Sequence, residues 1–205
     1  MDGLTAGRPP VGASLLDGSA DGKELAVSRC LELRPVTTAD IDLVAKYMTS
    51  MDGTGPFQWF GFTTVDRLRN AHQENGLLGA EGGVLTVVED GDAVGRVEWF
   101  KAAWGRADTA TCWTIAIGLI PTARGRGIGR WAQCELVQYL FKHTRAERIQ
   151  AYTDVANVAE RRALEAARFT FEGVIRRGQW RDGDWHDLAL YSVVRCDLVP
   201  PLDQP

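Results

Sequence analysis

The sequence predicts an α/β (α+β) fold: a central, mixed, mostly antiparallel sheet with helices on both faces. Three observations predict it. Strand-like and helix-like segments follow one another in the order βααβββαβαββ. The middle strands are joined by tight-turn chemistry, beginning with Asp90-Gly91-Asp92, a hairpin signal. An apolar run, Ile115-Ala116-Ile117-Gly118-Leu119-Ile120-Pro121, leads into Arg124-Gly125-Arg126-Gly127-Ile128-Gly129 and then a helical pattern, which together read as strand, tight turn, helix.

The elements follow from local patterning. Residues 1–28 are rich in Gly, Ala, Ser and Asp around Pro9-Pro10, without periodicity, and read as a flexible extension. One domain is expected over 29–197, followed by a C-terminal tail over 198–205. Leu31-Glu32-Leu33-Arg34-Pro35-Val36 alternates like a first strand, and Thr37 or Thr38 can cap a helix from Ala39 to about Ser50. That helix carries Ile41, Val44, Ala45 and Met48 on one face. Residues 52–63 form a Gly- and aromatic-rich loop, and a second helix covers Val65 to Glu74 before Gly76 and Gly79 break it. Strands are expected from Val84 to Glu89, from Val94 to Lys101 and from Thr109 to Ile120. A helix from Gly127 to His143, a strand from Arg148 to Thr153, and a helix from Asn157 to Ala167 capped by Asn157 come next. A last hairpin turns at Arg181-Asp182-Gly183-Asp184.

Composition bounds the function. With 205 residues, 45% of them hydrophobic, the chain can fill one core. A net charge of −4 argues against nucleic acid or an anionic membrane as partner, while leaving room for a local basic pocket at Arg124 to Arg130. No apolar run approaches the roughly 18 residues of a membrane span, and no secretory signal pattern is seen, so a cytoplasmic protein is expected. Cys30, Cys112, Cys134 and Cys196 are widely spaced, without a C-x-x-C pair, and read as buried reduced thiols with no metal site. A homodimer is left open. No G-x-S-x-G elbow or H-E-x-x-H helix supports a hydrolase or metalloenzyme.

The glycine-rich turn suits phosphate. Glycines let the backbone turn sharply, and the first N–H groups of the following helix point at an anion along the positive end of its dipole. It is neither of two familiar phosphate loops: Gly129 is followed by Arg130-Trp131 rather than Lys-Ser/Thr, and Arg130 stands where a dinucleotide fingerprint needs its third glycine. R-x-x-G-x-G between strand and helix resembles the acyl-CoA motif of the GCN5-related N-acetyltransferases (GNAT). Asn157, Leu164-Glu165, Phe169 and Glu172-Gly173 are similar to a second region of the RimJ/RimL-like branch. The resemblance covers about residues 30–196. It implies the GNAT fold and transfer of an acetyl group from acetyl-CoA, as cosubstrate, to a primary amine of a small molecule or a protein N-terminus. It also implies that Arg124, Gly125, Arg126, Gly127, Ile128 and Gly129 hold the coenzyme pyrophosphate. Ile117, Gly118 and Leu119 would pair with the pantetheine arm, with Asn157 alongside.

Acetyl transfer needs the thioester positioned, the amine deprotonated and the thiolate stabilised or protonated. Glu98, in Gly95-Arg96-Val97-Glu98-Trp99-Phe100, is the candidate base, with apolar neighbours expected to raise its pKa. Relatives often carry a Glu where this chain has Thr114, and a Tyr acid where it has Leu164; Glu160 stands where the RimJ/RimL-like branch has Ser. No thiolate donor is assigned, and Arg168 replaces a Gly before Phe169. Phe57, Trp59 and Phe60, with Phe62, are expected to wall the acceptor site, and Trp99 to extend it; Trp104 and Trp113 could continue the lining. Trp180, Trp185 and His186 read as a structural hairpin, and His72 and His143 as surface residues. The departures at Thr114 and Leu164 keep an acyl-CoA-binding sensor as the alternative. Glu32, Asp52, Asp66 and Glu81 are too scattered to form an acidic groove for a peptide, so the aromatic loop favours a bulky small amine.

Overall fold

The computed structural model describes residues 29–198; the expected extension over 1–28 and the tail from 199 lie outside them. Alternation in the opening pattern produces β1 (Leu31–Pro35). α1 (Thr38–Met48) starts where the Thr37 N–H donates to the Asp40 carboxylate at 2.8 Å. A one-turn helix, α2 (Met51–Thr54), follows within the glycine- and aromatic-rich stretch, then α3 (Asp66–Asn75), closed by left-handed Gly76. The strands are β2 (Leu78–Gly79), β3 (Gly82–Glu89), β4 (Asp92–Ala103) and β5 (Thr111–Leu119). β5 begins two residues later than the sequence suggests. The Arg106 carbonyl accepts from Thr109 and Ala110, and winds Ala107–Ala110 into a single turn, α4. A 3-10 turn at Pro121–Ala123 leads to α5 (Ile128–His143). β6 (Arg148–Asp154), α6 (Val158–Ala166), β7 (Thr170–Arg181) and β8 (Asp184–Val194) complete the predicted order, before a 3-10 turn at Arg195–Leu198.

The sheet order is β1-β3-β4-β5-β6-β8-β7, with β2 beside β3. Every neighbouring pair is antiparallel except β5 and β6, which run parallel and meet only at Trp113–Ile149 and Thr114–Gln150.

Helices cover both faces. Ile128, Ala132, Leu136 and Leu140 recur every four residues along α5, and all are fully buried in one cluster with Val87, Val97 and Ile115 of the sheet. Burying a side chain such as Leu136 contributes about 2 kcal/mol. Val36, Ile41 and Leu77 form a second cluster with Leu68 of α3 and Val84 of β3. Successive strand residues point to opposite faces, so Val97 and Trp99 face the α5 cluster and Arg96 and Glu98 face away from it. The cysteines depart from expectation: Cys112 is buried and Cys134 half-buried, but Cys30 and Cys196 are exposed, because both lie just outside the strands that would have covered them. His72 is not a free surface residue either, since its Nε2 lies 2.9 Å from the Val36 carbonyl and ties α3 to the end of β1.

Candidate active site

The two parallel strands part after a short clasp. Gln150 Nε2 donates to buried Thr114 Oγ1 at 3.0 Å, and Trp104 Nε1 donates to Gln150 Oε1 at 2.7 Å. Beyond that rung β5 continues through Ile115–Leu119 with no β6 partner, so its outer edge keeps backbone groups available for an extended ligand. One of them, the Ile117 carbonyl, accepts from Gln58 Nε2 at 2.8 Å. A cavity of about 420 Å³ passes through the gap. Ile117, Gly118, Leu119, Arg124 and Asn157 line it, together with Tyr152, Asp154 and Glu160 from the β6 side.

The glycine turn follows directly on Arg124. Gly125 and Gly127 have φ of 71° and 82°, in the left-handed region that favours glycine. Gly127 is the N-cap of α5 and no side chain caps the helix, so the N–H groups of Ile128, Gly129 and Arg130 stand at an open N-terminus. A Cβ at Gly125 or Gly127 would meet nothing within 4 Å, so the space in front of the turn is clear. Gly129 lets the helix start lie against β5, with Leu119 Cδ1 3.7 Å from where its Cβ would be. The Ile128 side chain points into the core while its N–H belongs to the turn. These features fit a diphosphate and an extended arm.

Two arginines of the motif also hold the protein together. Arg124 Nε donates to the Leu119 carbonyl at 3.0 Å, and its Nη2 to the Gly53 carbonyl, so it fastens α2 to the end of β5. Arg126 makes two 2.8 Å hydrogen bonds to Glu89, a buried carboxylate that also pairs with Arg29. The Arg124 donors are thus committed to backbone carbonyls and Arg126 shares one carboxylate with Arg29, while the backbone N–H groups of the turn remain open.

Asn157 caps α6 by accepting from the Glu160 N–H at 3.3 Å, and donates from Nδ2 to Thr153 Oγ1 at 3.1 Å. Thr114 is locked in the clasp and is no base. Glu98 lines the cavity, but its carboxylate lies 3.5 Å from Arg96 Nε, an ion pair instead of the apolar surround expected. Phe57 and Phe60 line the cavity, whereas Trp59 packs edge-on against Phe62, with ring centroids 5.5 Å apart. Trp99 does not belong to the acceptor wall: it is buried in the α5 cluster, edge-on to Tyr139 at 5.8 Å. Trp113 and Trp104 are not among the cavity residues; Trp113 Nε1 donates to Thr144 Oγ1 at 3.2 Å. Trp180 and Trp185 pair edge-on at 5.7 Å on the last hairpin.

Two polar groups on the cavity wall carried no role in the sequence. Asp154 is buried and bonded to Arg181, with His186 Nδ1 at 3.2 Å; burial opposes its charge, but Arg181 and the Ala156 N–H hold its carboxyl below the ordinary value. The Arg181 guanidinium also sits 5.5 Å from the centre of the Phe57 ring, which links the hairpin to the aromatic loop. Glu160 accepts from Gln133 Nε2 at 2.8 Å, and burial pushes its carboxyl up to about 7 against the weaker pull of that hydrogen bond. Gln133 is itself 1% exposed, and its Oε1 has no partner among the described residues. An amide within the apolar stripe Ile128-Ala132-Leu136 was the available sequence signal for this pair.

Comparison with known proteins agrees with this geometry. The acetyltransferase (GNAT) domain profile matches residues 31–170. "Probable N-acetyltransferase YjcK" of Bacillus subtilis (strain 168) is 30% identical over 115 residues, 56% of this chain. The match spans 61% of the length of that curated relative. Mycobacterium smegmatis RimJ in complex with CoA-disulfide superposes with a TM-score of 0.68 at 20% identity, over 83% of this chain and 84% of that one. Spermidine N-acetyltransferase from Vibrio cholerae, in complex with CoA and spermine, gives 0.67 at 16% identity, over 82% of this chain and 96% of that one. At such identities the shared property is the fold.

Proposed function

Since the chain belongs to the GNAT acetyltransferase family, whose members are acyl-CoA-dependent N-acyltransferases, we propose that it moves an acetyl group from acetyl-CoA to a primary amine by direct attack. The observation that carries this is the parting of β5 from β6 beside the open N-terminus of α5. The turn at Gly125–Gly129 takes the diphosphate, the edge of Ile117–Leu119 that has no β6 partner takes the extended arm, and the thioester lies in the gap. Holding it there converts a bimolecular encounter into a local one.

The acceptor enters from the side of Phe57 and Phe60. Glu98 lines the same cavity and receives the amine proton, directly or through water, with Arg96 fixing its carboxylate. Apolar walls from Phe57, Phe60, Leu43 and Leu77, with the Glu98 carboxylate, suit a small amine with an apolar body. The resemblance to the RimJ/RimL-like branch supports an α-amino terminus as the competing acceptor.

The test is calorimetric titration with acetyl-CoA, followed by thiol release in the presence of small amines and of N-terminal peptides. Binding with release that depends on an amine is the expected result, and the amine that works names the acceptor class. Binding without release from any amine would return the acyl-CoA sensor reading, and no binding would refute the proposal.

A further inference from the structure

Resting on the transferase reading, we propose that Arg181 is the positioning residue of the acceptor site: from the last hairpin it fixes Phe57, and with it the aromatic wall, across the gap between β5 and β6. The wall cannot set its own position. It lies between α2 and α3, in a stretch that forms no helix or strand, so its place comes from contacts with the rest of the chain.

Strand alternation aims Arg181 at that wall. Trp180 and Trp185 form an exposed pair on one face of the hairpin, so their neighbours Gln179, Arg181 and His186 stand on the other. Gln179 lines the cavity, and Arg181 is only 5% exposed. Asp154, the last residue of β6 and itself buried, pairs with Arg181 Nη2, and His186 Nδ1 lies 3.2 Å from the same nitrogen. A buried guanidinium with one carboxylate partner stays where that carboxylate is. Arg181 is thereby anchored to the β6 wall.

The other end of the same group holds the loop. Nη1 donates to Gln179 Oε1 at 2.8 Å and reaches the Phe57 carbonyl at 3.4 Å, and the guanidinium carbon lies 5.5 Å from the centre of the Phe57 ring. The next residue, Gln58, donates to the Ile117 carbonyl of β5 at 2.8 Å. Two consecutive residues therefore tie the loop to opposite walls, Phe57 to the β6 side through Arg181 and Gln58 to β5. Arg181 sets the acceptor end of this strap, while Gln58 touches the edge that takes the coenzyme arm.

The arrangement needs an arginine. A planar fork offers its two terminal nitrogens to different partners at once and its face to a ring, whereas a lysine ammonium can neutralise Asp154 without also holding the loop in that geometry. Because Asp154 balances its charge, Arg181 can stand beside the acceptor wall without repelling a protonated amine. The other cavity arginines are engaged elsewhere, Arg124 with the Leu119 and Gly53 carbonyls and Arg96 with Glu98.

The test is a double-mutant cycle of Arg181→Lys and Phe57→Leu, read in kcat and KM for an amine that the wild type acetylates and in acetyl-CoA affinity by calorimetry. Each single variant is expected to raise the amine KM by on the order of 10-fold, to hold kcat within about threefold and to bind acetyl-CoA within about twofold of wild type. The double variant should exceed the worse single one by no more than about threefold, because both changes remove one arrangement. A purely structural role would lower the active fraction, and so kcat, and leave the amine KM unmoved. An unchanged amine KM in Arg181→Lys, or single effects that multiply to about 100-fold in the double variant, would overturn Arg181 as the positioning residue and leave the transferase reading intact. Should Arg181→Lys not fold, Phe57→Tyr decides: it keeps a ring for the guanidinium and should hold the amine KM within about threefold of wild type where Phe57→Leu does not. Equal KM values for those two variants would overturn the proposal. A wild type that acetylates no amine overturns both readings.

Discussion

Replacing Glu160 by Gln should make stability less dependent on pH by a margin that follows from the site. The wild-type carboxyl moves from an ordinary value of 4.5 to about 7 on folding, so between those limits the native state binds a proton that the unfolded state has released. Stability from this group is complete below pH 4.5, falls as pH rises to about 7, and is flat above. At about 1.36 kcal/mol per pH unit the loss is about 3 kcal/mol. The dipole at the N-terminus of α6 favours the charged form by about 0.3–1 kcal/mol, which reduces the effect without reversing it. Gln cannot ionise, and its amide can pair with both ends of the Gln133 amide. The difference in unfolding free energy between variant and wild type should therefore move by about 2–3 kcal/mol in favour of the variant from pH 5 to pH 8. In a chain of this size that is a difference of roughly 4–12 °C in Tm. Urea denaturation of both proteins at several pH values measures it, and every group common to the two cancels. A difference that stays constant within about 0.5 kcal/mol over this range would refute the reasoning, because Glu160 would then ionise no differently in the folded and unfolded chains.

Other expectations follow from the same geometry. Gly127→Glu should abolish acetyl-CoA binding in calorimetry, since it places a carboxylate at φ 82° in front of the open α5 N-terminus; unchanged affinity would remove the turn from the site. Gln58→Ala frees the Ile117 carbonyl and should tighten acetyl-CoA by about 2- to 10-fold, the equivalent of one hydrogen bond of about 0.5–1.5 kcal/mol. Asp154→Ala leaves the Arg181 guanidinium buried without its carboxylate and should cost about 3–5 kcal/mol in chemical denaturation; a loss below about 1 kcal/mol would mean that Arg181 finds another partner.

The order of long elements was legible because each rests on repetition: four-residue spacing along Ile128, Ala132, Leu136 and Leu140, and turn residues at Asp90-Gly91 and Asp182-Gly183. α2 and α4 were not, since a single turn of four residues has no period to detect. The turn at Gly125–Gly129 could be read from local backbone chemistry. The partners of its arginines could not: Arg126 meets Glu89 across 37 positions of sequence, and Arg124 meets Gly53 across 71. Placing both Glu98 and Trp99 on the cavity conflicted with a rule available from the sequence, because neighbours on a strand face opposite ways. Which of the two faced the cavity was settled by α5 packing over Trp99. The environment of Glu160 was the least legible feature, since burial is set jointly by α5, α6 and the parted strands, and the sequence around it reads as an ordinary first turn.

The clasp between β5 and β6 also has a mechanical meaning. Only two rungs join the β1–β5 portion of the sheet to the β6–β8 portion, and they sit at one end of the gap. The five residues from Ile115 to Leu119 form a lever of about 17 Å beyond that pivot, at roughly 3.3 Å per residue. A rotation of about 5° there would widen the far end by about 1.5 Å while stretching the pivot hardly at all. The mouth of the gap thus has most of the travel, and the clasp has least. The same sheet can be compliant at one end of the gap and stiff at the other.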